Sequence, residues 1–282
     1  MKIIDPHIHL FDRENGDYHW LAQGNPPHWP RKHVLQTSFS EADLNLDAAK
    51  RLAGIVHIEA GYDNQCAWRE IDWLEGSVSL ALRTIACADL NQRENEFEHN
   101  VRVLAERESC VGVRHIMDQQ ASTLLKNKLC LHNLSQLAKH DMLFELQFNV
   151  ADTPAVNALL NYYEHSQSIP RIVINHLGMP RYNAQNDADW LHNLKRLSAL
   201  PNIFIKISGW EMSEHKVGME QIEMYVHSVF EYWDKTRIMM ASNFPVCLMR
   251  TSYAQQWQEL IDLSDLHKHA FCYQNAHSCY RF

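Results

Sequence analysis

Lys2-Ile3-Ile4-Asp5-Pro6-His7-Ile8-His9-Leu10 is the first apolar run of the chain, and its reading decides the rest. As a β-strand it sends alternate side chains to opposite faces, so His7 and His9 project the same way, where both imidazoles can meet one metal ion or one substrate oxygen. The spacing alone is weak evidence, because with 18 His in 282 residues chance yields roughly one His-x-His. A second pair, His267 and His269, lies in a polar C-terminal stretch without strand pattern and reads as solvated surface. Position distinguishes the first pair, and position depends on the rest of the chain.

Residues 11–38 carry Asn15-Gly16, Gly24-Asn25-Pro26-Pro27 and Trp29-Pro30 among His19, Trp20 and His28. That punctuation forbids a long element and suggests a long loop after the first strand, either a lid or binding loop or a surface loop pinned by buried aromatics. Ser40 to Leu52 has an N-cap candidate and helical spacing. From there the pattern alternates. Strands are predicted at Ala53–Glu59, Leu82–Ala88, Cys110–Ile116, Leu143–Phe148, Arg171–Leu177, Asn202–Ser208 and Arg237–Ser242. Each is followed by helical spacing, at 64–75, 94–108, 129–140, 154–163, 188–200, 220–233 and 253–263.

Near-continuous apolar strands, each trailed by a helix, call for parallel crossovers with both sheet faces covered. About eight such units in this length is the size of a single (β/α)₈ TIM barrel, fold class α/β, spanning residues 1–282 as one domain. An open doubly wound sheet is the competing architecture, but no Gly-x-Gly-x-x-Gly follows the first strand. A barrel gathers the residues at its strand ends around one mouth: His7 and His9, Glu59, Asp89, Arg114 and His115, Gln147 and Asn149, Asn175 and His176, Lys206 and Ser208, and Asn243. Singly, Lys206 and Gln147 read equally well as barrel interior. The Met239-Met240 pair reads as barrel filling, and the aromatic runs 68–73 and 225–233 as helix faces packed on the barrel.

Composition narrows the class of function. A formal charge of −8 argues against a general nucleic-acid or anionic-membrane surface and leaves a small-molecule substrate as the expected partner, with a homo-oligomer left open. Seven scattered Cys with no Cys-x-x-Cys read as reduced thiols of a cytoplasmic protein. No apolar run is long enough to span a bilayer, and the apolar run before Asp5 is only two residues, Ile3-Ile4, so no secretory leader is expected.

With His-x-His on the first strand and a His closing the sixth, the chain resembles the amidohydrolase superfamily, and within it the sugar-acid lactonases. The matching stretches are Asp5–Asp12 with Tyr18–Leu21, Val56–Ala60, Gly112–Ile116, Val173–Pro180, Ile205–Gly209, Ala241–Val246, Asn275-Ala276 and Tyr280-Arg281. The resemblance implies that His7, His9 and His176 occupy the metal-site positions, or bind substrate in members that work without metal. The implied cofactor is one divalent ion, zinc first and manganese second. The implied reaction is hydrolysis of a lactone, with decarboxylation by a related enzyme as the alternative, or a barrel that has lost catalysis and only binds.

Two departures bear on mechanism. The family pattern after the eighth strand is Gly-Ser-Asp-Trp-Pro, whose Asp is the usual base; this chain has Asn243. The family usually has Asp before the sixth-strand His; this chain has Asn175. A neutral amide accepts no proton, and general-base assistance is worth roughly 10²- to 10⁴-fold in rate. The expected roles are then His176, Asn243 and Glu59 in catalysis, with Asn243 orienting the water or donating to the oxyanion and Glu59 a substitute base or hydroxyl ligand. Arg114 is expected to clamp a substrate carboxylate or hydroxyl, with His115, Gln147 and Lys206 as further substrate contacts.

Overall fold

The computed structural model describes residues 1–182, 184–213 and 216–282. Eight strands pair in chain order, every neighbouring pair parallel: β1 (Lys2–Ile8), β2 (Arg51–Ile58), β3 (Leu82–Cys87), β4 (Cys110–Ile116), β5 (Leu143–Gln147), β6 (Ile172–Ile174), β7 (Ile203–Ile207) and β8 (Ile238–Met240). β8 meets β1 through a parallel bridge between Ile8 and Phe244, where the Phe244 carbonyl accepts from His9 N at 2.6 Å and the His7 carbonyl accepts from Asn243 N at 3.0 Å. An open sheet would leave two unpaired edges, so the expected barrel is the architecture found.

The helices that cover it are α1 (Trp68–Ser77), α2 (Glu94–Ala105), a short α3 (Ala121–Leu124), α4 (Lys128–Lys139), α5 (Thr153–His165), α6 (Ala184–Ser198), α7 (Met219–Tyr232), α8 (Tyr253–Ser264) and a short α9 (Asn275–Tyr280). Local chemistry sets their starts. Asp152 accepts from Ala155 N, with Pro154 in the first turn of α5, and Ser252 accepts from Gln255 N to open α8. Each then buries one stripe, such as Val156, Leu159 and Tyr162 on α5 or Trp257, Leu260 and Ile261 on α8.

One region differs from expectation, and another was not anticipated. The helix predicted from Ser40 to Leu52 is one turn, Glu41–Asp43, in which Ser40 and Asp43 cap each other. Pairing of Arg51 with Lys2 then draws the chain into β2, and strand pairing overrides helical propensity. The pair His267 and His269, expected as solvated surface, is exposed. Beyond them the chain enters a wide helical turn, Ala270–Gln274, and α9. Ala276, Cys279 and Tyr280 pack with Ile4, Val56, Val111, Leu143, Val173 and Met239 inside the barrel. Arg83 and Arg171, near the starts of β3 and β6, donate to the carbonyls of Arg281 and Cys279 and fix this plug at the N-terminal end of the strands.

Met239 fills the barrel interior, whereas Met240 packs in the layer between strands and helices. All seven cysteines are free. Among the described residues no helix is long and apolar enough to cross a membrane.

Candidate active site

The C-terminal ends of the strands open onto a cleft of about 510 Å³. His9, Glu59, Arg114, Gln147, His176 and Asn243 line it, each at or just beyond the end of a different strand. The loop after β1 supplies the roof: Trp20, Pro26, Pro27 and Trp29 face the cleft. Both readings of that loop hold, because Tyr18, Leu21, Leu35 and Phe39 are buried anchors and Trp20 Nε1 donates to the Ala60 carbonyl at 2.7 Å. Met179, in the loop after β6, also reaches the cleft.

The three distant imidazoles meet. The His7 ring centre lies 5.0 Å from that of His9 and 4.5 Å from that of His176. His7 sits beneath the cleft floor, fully buried, while His9 and His176 are exposed to the cleft. His176 reaches the mouth through a kink, His176 and Leu177 both taking left-handed backbone with φ of 52° and 56°. Its Nδ1 lies 2.9 Å from Ser208 Oγ, and His9 Nδ1 donates to the Ile58 carbonyl at 2.8 Å. Gly209, at φ 92°, presses on the same ring, and a Cβ there would lie 2.5 Å from His176 Cβ. Gly209→Ala is expected to push His176 aside and lower turnover by about 100-fold, the cost of roughly 1 Å of misplacement, with kcat/KM as the measurement.

Burial, with the charge of Lys206 second, drives His7 well below its ordinary pKa of 6.5; burial, then Arg114, does the same for His9 and His176. All three are neutral in the fold, whereas the unfolded chain protonates them near 6.5. Their stabilisation is complete above about pH 6.5 and is lost as pH falls from there toward the folded values. Asp5 opposes this, since burial pushes it up to about 6 and its stabilisation is lost as pH rises from 3.8 through 6. Burial raises Glu59 and Glu211 in the same sense, so these carboxyls also oppose the imidazoles across this range.

Under the imidazoles lies an ion pair. Lys206 and Glu145 are both fully buried, with Nζ 2.8 Å from each carboxylate oxygen and 3.2 Å from His7 Nδ1. Glu145 also accepts from Tyr280 Oη at 2.5 Å and from Asn175 Nδ2. An Asp at 175 would set a second carboxylate against Glu145, so the amide at that position is matched to its neighbour. Lys206 therefore belongs to the barrel interior and does not line the cleft, which corrects its expected role as a substrate contact.

Two other placements differ. His115 points away from the cleft, its Nδ1 accepting from Leu90 N at 3.2 Å beside Asp89 at 3.8 Å, because alternation along β4 aims Arg114 inward and its neighbour outward. Arg114 is already engaged: Nε and Nη2 lie 2.8 and 2.7 Å from Glu59 Oε1, and Nη2 also donates to the Glu59 carbonyl at 2.9 Å. Only Nη1, 3.4 Å from Gln147 Oε1, is lightly held. Burial raises Glu59 above the usual carboxylate range and Arg114 lowers it, burial being the larger effect. Asn149 caps its own turn by accepting from Ala151 N. Sequence reading missed Glu145, Asp118 on the cleft rim, and Glu211, whose Oε1 accepts from Asn243 Nδ2 at 2.6 Å.

The chemistry of a metal ligand set is present in three uncharged imidazoles, but its placement is not. Among the described residues no group of three or more His, Cys, Asp or Glu is spaced to hold an ion. Lys206, donating toward His7 Nδ1, also leaves the proton of neutral His7 on Nε2, a buried nitrogen with no partner among the described residues and no free lone pair for a metal. As they stand, these side chains do not fit a three-imidazole zinc or manganese site.

The whole barrel has recognisable relatives. The chain is 26% identical to the uncharacterized protein y4mH of Sinorhizobium fredii over all of this chain and 99% of that one. It is 21% identical to an L-fucono-1,5-lactonase of Burkholderia ambifaria, covering 86% of this chain and 80% of the lactonase. A crystal structure of an amidohydrolase from Burkholderia multivorans with bound zinc superposes over the full length of both chains with a TM-score of 0.81 at 19% identity, a likeness of fold. The model of the amidohydrolase family matches residues 4–282, so this chain, with its paired histidines at the end of β1 and its kinked His176, belongs to the amidohydrolase family.

Proposed function

We propose that the protein hydrolyses an uncharged lactone, a cyclic ester of a sugar acid or a related hydroxy acid. One observation supports this reading above the others. The cleft sets two neutral imidazoles and a neutral amide beneath an aromatic roof, and the one cation among its described lining residues, Arg114, is already paired with Glu59. With Glu59 and Asp118 both on the lining, a substrate bearing free carboxylates meets net negative charge. That counts against a dicarboxylate and against decarboxylation of an acid.

In the reaction, water adds to the ring carbonyl carbon, the bond from that carbon to the ring oxygen breaks, and the proton lost by the water ends on the released hydroxyl. His176 is the proton carrier, with His9 beside it; donation from His9 Nδ1 to Ile58 leaves His9 Nε2 as its basic atom. Arg114 Nη1 is the donor left over for the carbonyl oxygen as charge develops there. Trp20 and Trp29 offer ring faces to the apolar side of a sugar lactone and keep bulk water out.

A panel of uncharged 1,4- and 1,5-aldonolactones against lactones carrying carboxylates tests this. The uncharged lactones are expected to have kcat/KM at least about 100-fold higher, a difference of a few kcal/mol. Turnover is expected to survive treatment with a chelator, and a strict requirement for restored Zn²⁺ or Mn²⁺ would refute a mechanism built on side chains alone. If no lactone opens with or without added ions, the reading fails.

A further inference from the structure

We propose that Glu211 is a positioning residue: by accepting from Asn243 Nδ2 it turns Asn243 Oδ1 toward the cleft, where that oxygen accepts a hydrogen bond from the attacking water. The identity of the water rests on the lactonase reading; the orientation of the amide does not.

Glu211 lies in the turn Trp210–Met212 that follows β7, and its Oε1 is 2.6 Å from Asn243 Nδ2, the length of a charge-assisted bond. Because Nδ2 is the atom that donates to Oε1, the NH₂ of the amide faces Glu211 and its Oδ1 is on the other side. The backbone of Asn243 is pinned on both sides, N–H to the His7 carbonyl and carbonyl to Cys247 N, each at 3.0 Å, in left-handed conformation with φ 58°. What remains free is the half-turn of the amide, and Glu211 decides it. Asn243 is in the cleft wall, whereas Glu211 lines a separate cavity of about 400 Å³ behind that wall, so the carboxylate acts on the cleft only through the amide.

The arrangement is costly in a way that structural pairs usually avoid. Glu211 Oε2 is buried with no partner among the described residues, and burial pushes the carboxyl up to about 7 against the lowering effects of Asn243 and the Arg250 charge. An Asp at position 243 would stand against this carboxylate as a second negative charge. Asn243 and Glu211 are therefore a matched pair, and the chain's departure from the usual Asp becomes a relocation of the carboxylate one residue shell away from the cleft.

The test compares full-length wild type, Glu211→Ala and Glu211→Gln on the best uncharged lactone of the panel. Glu211→Ala is expected to lower kcat by about 10- to 100-fold with KM within about twofold, the pattern of an interaction that matters in the transition state. Glu211→Gln, whose Oε1 still accepts from Asn243, is expected to recover kcat to within about fivefold of wild type. Independently of turnover, the side-chain amide protons of Asn243 should exchange slowly in wild type and Glu211→Gln and rapidly in Glu211→Ala, read by ¹⁵N-edited NMR. If that protection depends on Glu211 but no lactone is opened, the orientation stands and the lactonase reading falls. If Glu211→Ala keeps both kcat and protection, or if both variants lose kcat in step with melting temperature, the positioning role is overturned.

Discussion

Replacing His176 with Ala is expected to lower lactone turnover by about 10³-fold or more while the barrel stays folded, the general-base share of a rate enhancement being roughly 10²- to 10⁴-fold. The ring is bound to the fold through one contact to Ser208 Oγ and its packing on His7 and Gly209, all at the mouth. Water from the cleft can refill the space and satisfy Ser208, so the stability cost is on the order of 1 kcal/mol. The measurements are kcat/KM and a thermal melt followed by circular dichroism. Full turnover in the variant would place the chemistry elsewhere. His9→Ala carries the same expectation, and a larger loss there than at position 176 would exchange the two roles.

Glu145→Leu should produce the largest loss of stability. It would leave Lys206 fully buried with His7 Nδ1 as its remaining hydrogen-bond partner among the described residues, and breaking a buried pair by removing one member costs about 3–5 kcal/mol. Against a total folding stability of about 5–15 kcal/mol that is a large share. Lys206→Met in the Glu145→Leu background removes the orphaned charge, so the double variant should be more stable than Glu145→Leu alone, giving a strong coupling in a urea-denaturation cycle. A loss under about 1 kcal/mol for Glu145→Leu would mean that the pair is not ionised in the fold. The pair lies directly under the cleft floor, so its loss should also disturb His7.

The barrel could be read from sequence because its signal is local and repeated: each strand is a short apolar run, and each helix carries one buried stripe. The convergence of His7, His9 and His176 was legible for the same reason, since barrel geometry brings strand ends together whatever their separation in the chain. Alternation also held information beyond that. Gln147 on the inner face implies Glu145 on the same face two residues earlier, and Arg114 pointing inward turns His115 outward. Glu211 was not legible, because it sits in a turn whose partner, Asn243, is 32 residues away and is reached only through the fold. The helix expected at 40–52 failed where strand pairing at Arg51 competed with propensity. The barrel plug was not legible because the polarity of the C-terminal segment masks three side chains, Ala276, Cys279 and Tyr280, that fill the barrel.

That last segment has a consequence for how the molecule is made. Tyr280 hands its hydroxyl proton toward Glu145, in the middle of the chain, and the Arg83 and Arg171 side chains wait for carbonyls that only residues 279–281 provide. During synthesis from the N-terminus, the floor of the ring and the acid at its centre thus stay incomplete until those residues have left the ribosome. Any segment joined after Phe282 has to leave that turn room to dock, and trimming even a few residues from it would open the ring to water from beneath.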